Sequence, residues 1–370
     1  MNEKKKRLMT DEKVPPAGLV RMIMGFRNFL EKLRRNLVPP PIALLEMITG
    51  YWYTQAIYVA AKLGIADQLK NGPKNIDELA KATGAHAPSL YRLMRALASV
   101  NIFAEDKNGH FKLTPMAKAL QSEVPDSMRA MAIMNGDDWY WQPWGELLHS
   151  VKTGNSAFKK THKMGFFEYT EQNSEAGAVF NEAMTAFTAQ SAVEVNAAYK
   201  FSGVNTLVDV GGGQGILIAG ILKKHPHMRG INFDLPSVIE GAKALIEAQG
   251  LSSRCHLIGG DFFESAPSGG DAYILKNVIH DWDDERATKI LKNCHSVMPQ
   301  NGKLLLVELV IPEGNKPFFG KFLDLDMMVM GGARERTESE YRKLFAAAGF
   351  KLTRIISMTS PESVIESIRI

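Results

Sequence analysis

Cysteine is nearly absent from this chain of 370 residues, which has two, Cys255 and Cys294. They lie far apart and lack metal-ligand spacing, which argues against a disulfide scaffold or a zinc cluster and for buried thiols in a reducing compartment. Long hydrophobic runs are missing too. Stretches such as "LLLVELVI" fall short of the ~20 residues a spanning helix needs, and they carry a charge. The N-terminus is charged and has no apolar signal core, so a cytoplasmic protein is expected. The chain shows no internal repeat. The body also lacks a strong charge of one sign. The net charge is +4, but residues 1–40 hold ten Lys/Arg against four Asp/Glu, which leaves the remainder at −2. Total charge thus gives no case for nucleic-acid binding, and Lys4–Arg7 reads as a solvated tail.

What is present is ordinary globular composition over a length suited to two domains with an N-terminal extension. Residues 1–40 form a basic extension ending in Pro39, Pro40 and Pro41, which break any helix. Within it, Gly18–Arg35 has apolar residues at helical spacing (Leu19, Met22, Ile23, Phe26, Phe29, Leu30, Leu33), suited to packing on the body or on a second copy. Residues 41–200 are mostly helical. "NIDELAKATG" and "HAPSLYRLMRALASVNI" read as helix, turn, helix, with Gly84 ending the first. "FAEDKNGHFKLT" then reads as a hairpin turning at Asn108-Gly109. This is winged-helix-like. The second helix offers Arg92 and Arg95 but is otherwise too apolar for a DNA reader, which favours packing or dimerisation.

Near residue 201 the texture changes. "TLVDV", "GINFD", "CHLIG", "DAYIL" and "GKLLLVEL" read as buried parallel strands, most of them separated by helices. "KLTRIISM" and "SVIESIRI" read as a terminal antiparallel hairpin. The pattern implies an α/β, doubly wound domain over residues 201–370.

"VDVGGGQG" joins the first strand to a helix, where glycines allow a sharp turn and close approach to a nucleotide-like ligand. Counted from Gly211, the sixth position of a dinucleotide fingerprint is Ile216 rather than a small residue, which disfavours a pyrophosphate cradle. Asp234, ending the second strand, is placed for ribose hydroxyls, and Asp261 and Phe262 suit an adenine amino group and ring face. Tight turns with solvated acids explain the same spacing more blandly.

In "KNVIHDWDD", Lys276 to His280 fall just beyond the fourth strand, where such sheets bind ligands. Glu308 ends the fifth strand, and Glu335 lies in the following loop. A histidine flanked by two distant acids is an oriented general base. The alternative is a helix-start residue, a reading that suits Asp283 and Asp284. No second histidine stands at ligand spacing, so no metal is expected.

Taken together, "LVDVGGGQG", "INFDLP", "GGDFFE", "LKNVIHDWDDE", "LLLVELVIP" and "GGARERTESEYRKLFAAAGF" resemble the S-adenosylmethionine-dependent O-methyltransferases of the caffeic acid and hydroxyindole type, bacterial natural-product enzymes included. The resemblance spans roughly residues 45–370. It implies a Rossmann-like methyltransferase domain after a helical winged-helix dimerisation domain, a homodimer, and neither nucleic-acid nor membrane partners. It also implies that Gly211, Asp234, Asp261, Phe262, Lys276 and Trp282 hold S-adenosylmethionine. His280 would then be the base, with Glu308 and Glu335 beside it. Met134, Asn135, Phe180, Met184 and Asp281 would line a pocket for a small aromatic substrate. The segment between Glu308 and Glu335 is shorter than in plant relatives, so its substrate wall is not carried over. A C- or N-methyltransferase, a relative that has lost methylation, and a DNA-binding regulator are the rival readings.

Overall fold

The structure is a computed structural model that describes residues 15–124 and 127–370. Lys4–Arg7 lies outside the described residues. Two units divide the chain. One comprises residues up to Asn28, Glu146–Phe166 and Phe187–Ile370; the other comprises Phe29–Gly145 and Phe167–Ala186.

In the second unit the expected helix-turn-helix is present. Asn75 and Glu78 form a reciprocal capping box that opens Ile76–Thr83, and Gly84 closes it in the left-handed region. Helix Ala87–Ser99 follows, burying Leu90, Met94 and Leu97 along one face. Strands β1 (Phe103–Glu105) and β2 (Phe111–Leu113) form the antiparallel wing. The turn is wider than a two-residue Asn-Gly hairpin. Because Glu105 pairs with Phe111, residues 106–110 lie in the loop. The Asp106 carboxylate stabilises this longer turn by accepting the Asn108 and His110 N–H groups.

The first unit carries an eight-stranded sheet. Its strands are β3 (Thr206–Val210), β4 (Arg229–Asp234), β5 (Cys255–Gly259), β6 (Ala272–Lys276), β7 (Lys303–Ile311), β8 (Arg336–Thr337), β9 (Phe350–Ser357) and β10 (Glu362–Arg369). The order is β5-β4-β3-β6-β7-β10-β9, with β8 beside the end of β7. Strands β3 to β7 run parallel and β10 is antiparallel to both its neighbours. Strand order reverses between β3 and β6, which opens a crevice at their carboxyl ends. Strands β3, β4, β6 and β7 are buried on both faces and so read as continuous apolar runs, whereas the edge strand β5 is largely exposed. Along β7, Leu304 and Leu306 enter one core cluster while Leu305 and Val307 enter the other. The two-residue period therefore turns Glu308 inward with Leu304 and Leu306.

The sequence boundary at residue 200 is not where the chain divides. Residues 146–166 and 187–200 pack with the sheet unit. Ser156 donates to the Val329 and Met330 carbonyls, and Tyr199 donates to Glu366 at 2.6 Å. Helical periodicity cannot report which neighbour a helix chooses. The extension forms helix Ala17–Asn36, and Pro40 and Pro41 open the next helix, Pro40–Ile48. Proline is tolerated there because the first-turn N–H groups have no intrahelical acceptor.

Candidate active site

The glycine loop leaves β3 with Gly211, Gly213 and Gly215 at φ of 73, 56 and 76°, a region that side-chain-bearing residues rarely occupy. A Cβ on Gly211 would stand 2.7 Å from the Val278 side chain, and one on Gly212 would stand 2.0 Å from Asn232 Oδ1. The Asp234 carboxylate is fixed at both ends: Oδ2 accepts the Gly213 N–H at 2.8 Å and Oδ1 the Leu235 N–H at 2.7 Å. Burial raises the Asp234 pKa, and those two N–H groups oppose the rise.

Beneath the loop lies Asp209, an acid the sequence reading did not single out. It is buried, and neither carboxylate oxygen has a hydrogen-bond partner among the described residues. Burial, reinforced by the Asp234 charge, pushes its pKa up to about 7.

Asp261 turns the chain after β5 by accepting the Phe263 N–H at 2.8 Å. Asn293 holds Phe262 by donating to its carbonyl. Phe262 and Phe263 meet the Trp282 ring edge-on at 6.1 and 4.7 Å. Phe262 Cε1 would lie 3.7 Å from a Cβ on Gly211. Gly211, Phe262 and Trp282 therefore converge, joined by Phe263, which sequence reasoning missed. Lys276 closes β6 rather than lying beyond it. Its ammonium sits 3.4 Å from Glu362 on β10, so the cation is already paired.

After β6, Asn277 takes a left-handed φ of 51°, and a 3-10 turn, Ile279–Asp281, presents His280. The His280 side chain is 11% exposed, and its Nδ1 lies 2.7 Å from Glu335 Oε1 and 3.7 Å from Glu308 Oε2. A carboxylate only accepts, so in the neutral ring Nδ1 carries the proton and Nε2 keeps its lone pair. The two acids are not equivalent. Glu335 touches the imidazole. Glu308 instead holds the turn, its Oε1 accepting the Val278 and Ile279 N–H groups at 3.1 and 2.9 Å. Asp281 faces the other edge of the ring, 3.5 Å from Nε2. Burial alone would lower the His280 pKa, but Glu308, Asp281 and Glu335 reverse this and raise it to about 10. Burial raises Glu308 to about 7 and Asp281 to about 6, with the His280 charge opposing both.

A further residue went unread in the sequence. Arg336 is fully buried. Its Nη1 donates to the Ile279 carbonyl at 2.9 Å, its Nη2 to the Trp282 carbonyl at 2.8 Å and its Nε to Asp284 at 2.9 Å. The Arg334 N–H donates to the His280 carbonyl at 3.0 Å. The segment carrying Glu335 is thus stitched to the turn carrying His280. Asp284 is consequently not a merely solvated helix-start acid but the partner of a buried guanidinium. Asp283 caps the helix as expected, accepting the Arg286 N–H. The signal was the alternation in "RER": in extended chain, the residues flanking an inward glutamate project to its other side. His280, Glu308 and Glu335 also bring ligand-type atoms within 4.8 Å of one another. The one nitrogen in that set is already hydrogen-bonded to Glu335.

Of the expected substrate-lining residues, Asp281 lies beside His280 in the sheet unit, and Met134, Asn135, Phe180 and Met184 lie in the other unit. Met134 is buried in helix Arg129–Gly136, and the Asn135 amide donates to the Met131 carbonyl at 3.0 Å. Phe180 and Met184 stand four residues apart on helix Ser174–Ala198, with the Phe180 ring edge-on to Phe167 at 6.4 Å.

Residues 144–351 match the O-methyltransferase domain family and residues 45–123 the O-methyltransferase dimerisation domain. The chain is 49% identical over 337 residues to the phenazine O-methyltransferase PhzM of Lysobacter antibioticus, covering 91% of this chain and 98% of that protein. The crystal structure of LaPhzM superposes with a TM-score of 0.86 at 49% identity, covering 90% of this chain and 100% of the other. An O-methyltransferase from neocarzinostatin biosynthesis, solved with S-adenosyl-L-homocysteine and 1,4-dihydroxy-2-naphthoic acid, superposes with a TM-score of 0.74 at 31% identity, covering 86% and 96%. A glycine loop bordered by fixed acids, an aromatic slot and a carboxylate-held histidine beyond β6 accord with these matches. The chain belongs to the O-methyltransferase family and is an S-adenosylmethionine-dependent methyltransferase.

Proposed function

We propose that this enzyme methylates a phenolic or enolic hydroxyl on a small aromatic or polyketide-like metabolite, with His280 as the general base. The observation that carries the proposal is the 2.7 Å bond from His280 Nδ1 to Glu335, which leaves Nε2 as the proton acceptor. One relative is named for O-methylation of a phenazine and another is solved with 1,4-dihydroxy-2-naphthoic acid, both planar fused ring systems, and the second bears phenolic hydroxyls.

S-adenosylmethionine, when bound, supplies an electrophilic sulfonium methyl. Gly211, Asp234, Asp261, Phe262 and Trp282 would hold it: the loop for the methionyl part, Asp234 for the ribose, and Asp261 and the rings for the adenine. The fit rests on charge as well as shape. Asp209 and Asp234 are acids in low dielectric, and a cationic ligand compensates them. Lys276, paired with Glu362 at 3.4 Å, would join the cofactor-holding residues at the same edge of the site. Met134, Asn135, Phe180, Met184 and Asp281 are assigned to the acceptor, and the dimerisation domain to a homodimer.

An ordinary histidine near ~6.5 and a phenol near ~10 differ by about 3.5 units, roughly 5 kcal/mol uphill for proton transfer. Raising His280 to about 10 closes that gap. The corollary is that the imidazole is mostly protonated at neutral pH. Neutral imidazole with phenol and imidazolium with phenolate hold the same number of protons, so either pair leads to the same transition state. An aliphatic hydroxyl, water-like at about 15.7, stays some 6 units out of reach. Phenols are therefore selected over alcohols. As the oxygen bonds to carbon, its proton remains on Nε2 and then passes to solvent.

The test is His280→Ala, assayed with methyl-labelled cofactor on a panel of phenols and with calorimetry for cofactor binding. The rate should fall by about 10²–10⁴ while cofactor affinity holds. Undiminished transfer with intact cofactor binding would remove His280 from the role of base.

A further inference from the structure

Apolar side chains that remain in water are concentrated in one stretch. Among the described residues, seventeen of the thirty exposed large hydrophobics lie between Leu19 and Tyr53. Helices Ala17–Asn36 and Pro40–Ile48 bury none of their residues. Met22, Phe26 and Phe29 are 66, 61 and 60% exposed. Twenty residues of free helix are marginal in water unless an apolar face is covered, and a patch on this scale is an interaction surface.

The stripe has a direction and a period. Leu19, Phe26 and Leu33 recur every seventh residue, with Met22, Ile23, Phe29 and Leu30 between them. This is the seam of a helix that packs along another helix. Along the sequence, the exposed apolar residues continue into the dimerisation segment. Leu45, Met47, Ile48, Tyr51, Trp52 and Tyr53 are exposed as well, and they open the stretch that matches the dimerisation domain, residues 45–123. The helix Ala17–Asn36 precedes that match, so the family domain does not account for it.

We infer that the helix Ala17–Asn36 is an additional dimerisation arm whose Leu19–Phe26–Leu33 stripe docks on a second copy of this chain, extending the interface that begins at Leu45. The inference rests on the homodimer reading given above. A membrane surface is the other occupant that suits an amphipathic basic helix, but such a helix presents free cations beside its apolar face. Here Arg34 and Arg35 are bonded to Glu31, and Arg34 also to Glu46, and Arg21 donates to the Ser357 hydroxyl, which leaves Arg27 and Lys32 as the exposed cations of the helix. The continuation of the exposed apolar residues along the sequence into the segment that matches the dimerisation domain decides for a second copy.

The test compares the full-length protein with the variant Phe26→Asp, Phe29→Asp, Leu33→Asp by sedimentation equilibrium, with circular dichroism to verify folding. The dimer dissociation constant should rise about a hundredfold or more, since each apolar side chain left uncovered is worth roughly tenfold. In the unaltered protein, amide exchange of Met22–Leu33 should slow as concentration crosses the dimerisation range, a readout that needs no variant. A wild-type protein that stays monomeric would overturn the homodimer reading, and the arm with it. A dimer of unchanged affinity in the folded variant, or concentration-independent exchange, would overturn the arm alone. Loss of binding to phosphatidylserine vesicles with an unchanged dimer would also overturn it, in favour of the membrane.

Discussion

The replacement Glu335→Gln sets two effects against each other, and their magnitudes differ enough to choose between them. In the parent, the Glu335 carboxylate sits 2.7 Å from Nδ1 with both side chains nearly dry. Removing an opposite charge at that range lowers a pKa by about 1–3 units. Glu308 and Asp281 remain nearby, so the lower half of that range applies. Taken alone, the shift from about 10 would give more neutral imidazole at pH 7, and a titration effect would raise the rate by about tenfold per unit. The opposing effect is the tautomer. A glutamine amide can donate to Nδ1, which moves the ring proton to Nε2 and blocks the acceptor. A misplaced tautomer costs about 10⁴ in the serine-protease triad. Orientation outweighs titration. We expect kcat at pH 7 to fall by about 10²–10⁴, the ascending limb of the pH profile, set by deprotonation of His280, to move down by about one unit or more, and cofactor affinity to be unchanged. The assay is a pH series of labelled methyl transfer, with calorimetry for the cofactor. Activity within about twofold of the parent together with an unmoved limb would refute this account of Glu335.

Two other perturbations follow from buried charges. Arg336→Met strands the Ile279 and Trp282 carbonyls and should cost about 3–5 kcal/mol in thermal melts, most of it from the buried bonds because the Asp284 side chain is 60% exposed. Arg336→Lys should fold better yet lose kcat with little change in KM; a folded Lys variant with full kcat would show that the guanidinium does not position His280. Asp209 has a folded pKa of about 7, above its unfolded value near ~3.9, so the folded state binds the extra proton between those limits and stability falls as pH rises through that window. The penalty above pH 7 is about 4 kcal/mol. Asp209→Asn should therefore raise the melting temperature of the cofactor-free protein more at pH 8 than at pH 5, and an equal gain at both would refute the assignment.

Much of the site was legible because it depends on local pattern. The apolar runs of β3, β4, β6 and β7 are buried on both faces, and the strand ends locate the ligand crevice, so "VDVGGGQG", Asp234 and His280 could be placed in advance. The pairing of His280 with Glu335 was also foreseen, though the residues are 55 apart. What could not be read was the division of labour between Glu308 and Glu335. Both are glutamates in apolar or glycine-rich surroundings, and only the packing shows that one holds the backbone and the other the ring. Arg336 and Asp209 were missed for a related reason: a guanidinium bonded to two carbonyls, and an acid without a partner, look in sequence like any other charged residue.

The sequence by itself determined the α/β sheet, the winged-helix-like segment, the glycine loop and the position of the histidine, because periodicity, capping and turn chemistry act over a few residues. Tertiary structure alone decided that residues 146–166 and 187–200 join the sheet unit, that Lys276 is committed to Glu362, and that three carboxylates lift His280 toward the pKa of a phenol. Those outcomes depend on which groups share a dry interior, and burial and charge pairing arise between segments that are distant in the chain.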